Sequence, residues 1–268
     1  MESQTETQTL INQIMKKITT LLLSLVAVLL SCSKDDAPQA DSSDVLLQKI
    51  VTHESNGETY ETAFKYEGKK LIEARSKKEN KTFEYSGDLI SKISWFSNPD
   101  TENSLSQTVV FNYLPDGRLK SFEQNSASSF RVEFTYIDGE RVDFHAFASR
   151  NSYNFNGYFK VKNSEISQYV YSAGATPRPS VDYHYDDKSH PLKNVTGYNK
   201  LFLYHYFYNS FHLSGFTTNI GSSRNCTSNS LIEDPDRIEI TETYDYNDNG
   251  FPKTITRSNG SAKDDLFY

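Results

Sequence analysis

The residues of this chain best suited by type and spacing to chemistry are Asp245-Tyr246-Asn247-Asp248-Asn249-Gly250. Oxygen-bearing side chains at positions 1, 3 and 5, then a glycine at 6, make the first half of a calcium loop. The second half does not follow. Position 9 is Lys253, and position 12, where a bidentate Glu belongs, is Thr256. The stretch is therefore read as a turn, with Asp245, Asn247 and Asn249 kept as a weak calcium alternative. His53, His145, His184, His190, His205 and His212 form no tight metal pattern. His184 and His205 are expected on strands, solvent-facing or hydrogen-bonded. Asp186 and Asp187 are adjacent, so on a strand they face opposite ways, and in a turn both are simply solvated. There is no Gly-x-Ser-x-Gly elbow and no phosphate-cradling glycine loop. Cys226 lies in a small polar, loop-like stretch with no His and Asp arrangement to activate it, and reads as a bland free cysteine. No catalytic residue is singled out and no cofactor is implied. The one candidate ligand contact is the aromatic pair Trp95-Phe96, set before the loop-like Ser97-Asn98-Pro99-Asp100.

The start of the chain bears on location. Met15-Lys16-Lys17 is a basic n-region, and Ile18 to Leu30 is an apolar run too short for a membrane-spanning helix. The polar residues 1–14 do not fit a signal peptide, so Met15 is the expected true start. Leu29-Leu30-Ser31-Cys32 resembles the lipobox of bacterial lipoproteins, which implies a signal peptide over 15–31, cleavage before Cys32 and lipid on that cysteine. The alternative is an ordinary signal peptide with a chance cysteine. Ser33-Lys34-Asp35-Asp36 resembles the surface-export signal of lipoproteins from Bacteroidota. That implies an outer-membrane, cell-surface location, with the periplasmic face as the alternative. Residues 32–44 are too polar to fold and read as a disordered tether.

Composition narrows the function classes. The net charge is −7, and no basic cluster stands against it, which argues against nucleic acid. Two cysteines, one of them Cys32, leave no intramolecular disulfide in a lipidated chain. Eighteen Tyr and seventeen Phe suit a pleated, half-buried surface, and long helical patterns are absent.

The elements that must carry these residues appear as a degenerate repeat: aromatic, any, Tyr, two to four residues, usually Gly, then an aliphatic. It runs through Phe64-Lys65-Tyr66…Gly68…Leu71, Phe83-Glu84-Tyr85…Gly87…Leu89, Phe111-Asn112-Tyr113…Gly117…Leu119 and Phe134-Thr135-Tyr136…Gly139…Val142. Weaker copies are Tyr153-Asn154-Phe155-Asn156-Gly157 and Tyr183-His184-Tyr185, and the last is Tyr244-Asp245-Tyr246…Gly250. Each reads as strand, tight turn and returning strand, with both aromatics on one face. The units resemble the Tyr-Asp repeats of bacterial wall-associated and toxin-shell proteins and the hairpin repeats of Bacteroidota lipoproteins of unknown function. That resemblance implies the hairpin architecture, not encapsulation. The stretch Tyr198 to Phe216 is apolar on both faces and is expected to be a central strand.

Residues 45–268 are therefore expected to form one all-β domain, a meandering antiparallel sheet of successive hairpin repeats, twisted or curled. The function expected of it is non-catalytic binding or a structural role at the outer membrane, toward a glycan, peptide or protein partner. A secreted-side hydrolase acting on a polysaccharide or peptide, and a subunit of an envelope assembly, are the alternatives.

Overall fold

The computed structural model describes residues 44–97, 105–125, 129–148, 153–173, 180–207, 221–240, 242–257 and 262–268. All belong to a compact unit of residues Ser42–Tyr268. The signal peptide, Cys32 and most of the tether expected from the sequence lie outside the described residues.

Seventeen strands form one antiparallel sheet: β1 Lys49–Glu54, β2 Thr59–Glu67, β3 Lys70–Ser76, β4 Asn80–Ser86, β5 Leu89–Phe96, β6 Leu105–Tyr113, β7 Leu119–Asn125, β8 Phe130–Tyr136, β9 Arg141–Ala148, β10 Tyr153–Lys162, β11 Glu165–Ala173, β12 Val181–Tyr185, β13 Cys226–Leu231, β14 Asp234–Ile240, β15 Glu242–Tyr246, β16 Pro252–Arg257 and β17 Ala262–Phe267. Neighbours in sequence pair throughout, β1 also pairs with β17, and only β14 and β15 lack a mutual ladder among the described residues. Those two follow each other in one direction. The first bonds to β13 and the second to β16, so the curled sheet stays open along this seam.

The alternation read from the repeat decides which face is dry. On β2, Tyr60, Thr62 and Phe64 are buried while Thr59, Glu61, Ala63 and Lys65 are exposed. The inner face gathers Phe83, Ile93, Val109, Phe111, Phe122, Val132, Phe134, Phe144 and Phe159 into one core. The outer face carries cross-strand and same-strand ion pairs: Lys49 with Glu61, Glu84 with Lys92, Arg141 with Asp143, Lys263 with Asp265. This is the reverse of a membrane barrel, whose outward band is apolar. A Lys or Arg on a lipid-facing strand costs about 2–4 kcal/mol at the bilayer midplane. The outer face suits water.

Five tyrosines of the repeat units, and Tyr268 after the last unit, have a definite task at the turn end of the hairpins. Ladders between successive hairpins begin at Lys49, Lys92, Ser121, Gln168, Ser228 and Thr254. Two residues before each start, a carbonyl would face its neighbour with no amide to meet it. Tyr66, Tyr113, Tyr136, Tyr185, Tyr244 and Tyr268 donate their hydroxyls to those carbonyls, on Leu47, Ile90, Leu119, Ile166, Cys226 and Pro252, at 2.6–3.0 Å. Each phenol thus extends a ladder where the backbones diverge. Tyr244 does so across the seam.

Two weaker repeat copies depart from the reading. Gly157 is not in a turn. It lies inside β10, where a Cβ would come within 2.6 Å of both the Phe144 ring and the Val170 carbonyl. The turn of that hairpin is Asn163-Ser164, both with positive φ (55° and 60°). After β12, the expected hairpin is replaced by an excursion from Asp186 to Asn225 before β13 returns to pair with it.

That excursion also overturns the central strand expected over Tyr198–Phe216. Its described part is a 3-10 turn, Tyr198–Leu201, running into a short helix, α1 Phe202–Phe207. The helix packs against the inner aromatic wall. Tyr204 meets Phe111 and Phe122 edge-on at 4.8 and 5.0 Å, and Phe207 meets Phe144 and Phe159 edge-on at 5.1 and 5.9 Å. A strand there would have needed ladder partners inside the curl, whereas a helix satisfies its own backbone. Apolar residues all round fit either element, so the run alone did not decide.

Candidate functional site

The turn end is where side chains of different elements converge. The β6–β7 turn closes with Leu114 N–H donating to Arg118 O at 2.8 Å, and Asp116 accepts the Arg118 amide at 3.0 Å. The β8–β9 turn is built by Asp138, which accepts the amides of Glu140 and Arg141 at 2.8 and 2.7 Å. The 3-10 turn is held down by Thr196 N–H bonding to Lys69 O at 2.9 Å and by Gly197, whose φ of 77° places it against the β4–β5 turn.

Between these turns lies a cavity of about 310 Å³. Its floor is Leu119, Val142, Val161 and Phe202. Its rim is polar, with Arg118, Asp138, Asn163, Ser164, Asn199 and Lys200. Arg118 is fixed from two sides: the guanidinium lies 4.3 Å from the Tyr136 ring centroid, and its Nε bonds to Asp116 at 2.7 Å. The carboxyl of Asp138 is held below its ordinary range by the amides of Glu140 and Arg141. It therefore stays ionised and committed to its turn, the opposite of what a general acid needs. The site can hold polar groups through hydrogen bonds and charge. The size falls at the small end for ligand pockets.

Behind the cavity, buried polar groups latch the excursion to the sheet. Glu165 opens β11 beside Ser164, and its carboxylate accepts the consecutive amides of Ser222, Ser223 and Arg224 at 2.7–3.3 Å. Three such amides form an anion-binding nest, filled here by the chain's own carboxylate. Burial pushes the Glu165 pKa up to about 7 against the pull of those amides. Asp186 receives Asn225 Nδ2 at 3.1 Å, the Lys188 amide at 3.0 Å and the Tyr246 hydroxyl. The Tyr198 ring lies between His190 and His205, with centroids at 5.3 and 4.5 Å. Burial depresses both imidazoles to about 3, so both are neutral near pH 7.

Several sequence expectations land elsewhere. Trp95 is in the core, 9% exposed, with the Lys81 ammonium 5.5 Å over its ring, so it offers no open stacking surface. Phe96, half-buried, ends β5 next to it. Asp245 is an exposed strand residue, while Asn247 Oδ1 accepts the amides of Asn249 and Phe251 at 3.1 and 3.0 Å and is spent on the turn. The three thus serve a hairpin end, and no group of three or more metal-type ligands gathers among the described residues. His205 is not on a strand but buried in α1, its Nδ1 3.3 Å from Gly221 O. Asp186 is not simply solvated, as its bonds show. Cys226 is buried at the start of β13 rather than in a loop. Thr59, His53 and Asp265 form a line of contacts at 3.3 and 3.1 Å, on the exposed outer face of β2, β1 and β17. Arg118, Asp138, Asn163, Ser164, Asn199 and Lys200 were not singled out by the sequence reading. Two of them, Arg118 and Asp138, stand in the turns of quoted repeat units, a signal that was present.

No family model matches the chain, and no curated protein matches it. Among solved structures, the chain is similar to a porin-like protein from Bacteroides uniformis ATCC 8492, at 11% identity and a TM-score of 0.38, over 82% of this chain and 96% of that one. At that identity and superposition the likeness supports no conclusion about this chain's role.

Proposed function

We propose that this protein is a lipoprotein of the outer membrane, tethered through Cys32 and exposed at the cell surface, that captures a glycan or peptide without chemically altering it. The observation that carries the reading is the turn-end cavity: an apolar floor, a rim of amide, hydroxyl and cationic groups, and a single carboxylate already committed to its own turn. The lipobox-like Leu29–Cys32 and the Lys34-Asp35-Asp36 that follows support the proposed location. A water-facing outer surface fits a body held above the membrane by lipid rather than inserted in it. A thermal-unfolding screen of the full chain in detergent against envelope and host glycans and peptides tests the binding. Stabilisation by one ligand class, lost on Asn199→Ala, is expected; a flat panel contradicts the reading.

A second reading, a subunit of an envelope assembly, is favoured by the seam, where among the described residues β14 and β15 each pair along one edge only. The Tyr244 bridge already spans that seam, which is why the cavity is preferred. Crosslinking on intact cells that captures no partner through β15 would remove the second reading.

A further inference from the structure

Resting on the reading of the turn-end cavity as a ligand site, we infer that its ligand is an acidic saccharide, held through the carboxylate of a uronic-acid unit. The rim brings two cations together from separate elements, Arg118 at the foot of β7 and Lys200 in the 3-10 turn, on a chain of net charge −7. Arg118 is oriented in advance by the Tyr136 ring and by Asp116 at Nε, and among the described residues its outer nitrogens carry no side-chain partner. A planar guanidinium fixed in this way suits a carboxylate, which it can meet with two parallel bonds. Lys200 pairs with no carboxylate among the described residues. Asp138, the one acidic group on the rim, accepts its own turn's amides. The rest of the rim is uncharged and hydroxyl-matching: Asn163, Ser164 and Asn199 each donate and accept. Phe202 and its apolar neighbours form a floor for the C–H face of a sugar ring. At about 310 Å³ the cavity holds a single ring rather than a length of polymer, so the recognised unit is one residue or a chain end. A peptide carboxylate carries the same charge but lacks the ring of hydroxyls that these three side chains match.

The test compares ligands that differ only in charge. Calorimetric titration of the full chain in detergent uses trigalacturonate and its methyl ester, and in parallel a short peptide with a free or an amidated C-terminus. The acid sugar should bind about tenfold or more tightly than its ester, the worth of a charge-assisted hydrogen bond. Lys200→Gln and Arg118→Gln, each with an unchanged melting temperature, should close that gap. Equal affinity for acid and ester overturns the inference yet keeps the cavity as a ligand site. A gap that persists in both variants, or charge dependence confined to the peptide pair, also overturns it. Binding of none of the four removes the ligand-site reading as well.

Discussion

Glu165 is the buried carboxylate with the most to lose. In the fold its proton is held up to about pH 7, whereas in the unfolded chain it leaves near 4.5. Between those values the folded state binds more protons, so its contribution to stability declines as pH rises through the window, by about 3 kcal/mol in all. His190 and His205 act in the opposite sense. With folded values near 3, they cost stability as pH falls from 6.5. The difference between wild type and Glu165→Gln isolates the carboxylate, because the histidines act equally in both: the wild-type denaturant midpoint measured against the variant's should be lower at pH 7.5 than at pH 4.5. Parallel profiles would show that Glu165 does not titrate there. The ladder-end tyrosines make a second residue-scale prediction. Tyr113→Phe keeps the ring and removes the donor to Ile90 O, a carbonyl two residues beyond the β5–β6 ladder. The loss should be about 1–3 kcal/mol by chemical denaturation, the cost of leaving a buried acceptor unmet. A change within error would mean that water replaces the phenol.

At the scale of elements, Gly197 and Gly250 make a matched pair. Both have positive φ, 77° and 75°. A Cβ on Gly250 meets nothing nearer than the Lys188 side chain at 4.0 Å, while one on Gly197 falls 2.6 Å from Asp88 O. Gly250→Ala should cost about 1 kcal/mol for the left-handed backbone alone. Gly197→Ala adds a backbone clash and should cost about 2 kcal/mol or more, lifting the 3-10 turn from the hairpins. Equal costs would show that the excursion is not seated on those turns. The hairpins were legible because their signals are local: alternating aromatics from Phe64-Lys65-Tyr66 to Phe134-Thr135-Tyr136, and glycines at the turns. The helix was not. Tyr204, Tyr206 and Phe207 satisfy a strand pattern and a buried-helix pattern equally, and only the closing of the sheet around them removes the ladder partners a strand would need. The cavity was illegible for a related reason. Arg118, Asp138, Asn163 and Lys200 come from four turns, and nothing in their local sequence says that the excursion brings the last of them over the other three. Trp95 misled in the other direction. Its place at a strand end suggested exposure, whereas the register with Lys81 turns it inward.

On the scale of the whole molecule, the described sheet is inside out relative to a membrane barrel, with Phe and Tyr within and Lys, Arg, Asp and Glu without, and the proposal joins it to the bilayer by lipid at Cys32. The outer ion pairs lie on β1, β2, β4, β5, β9 and β17, so those strands carry charge where a membrane barrel would face lipid. The central claim is therefore that membrane attachment belongs to Cys32 and not to the strands. The most direct measurement is detergent phase partitioning of the wild type and Cys32→Ala expressed in the same cells. The account predicts the wild type in the detergent phase and the variant, folded, in the aqueous phase. A folded Cys32→Ala chain that stays with detergent would contradict it and return the sheet to the bilayer.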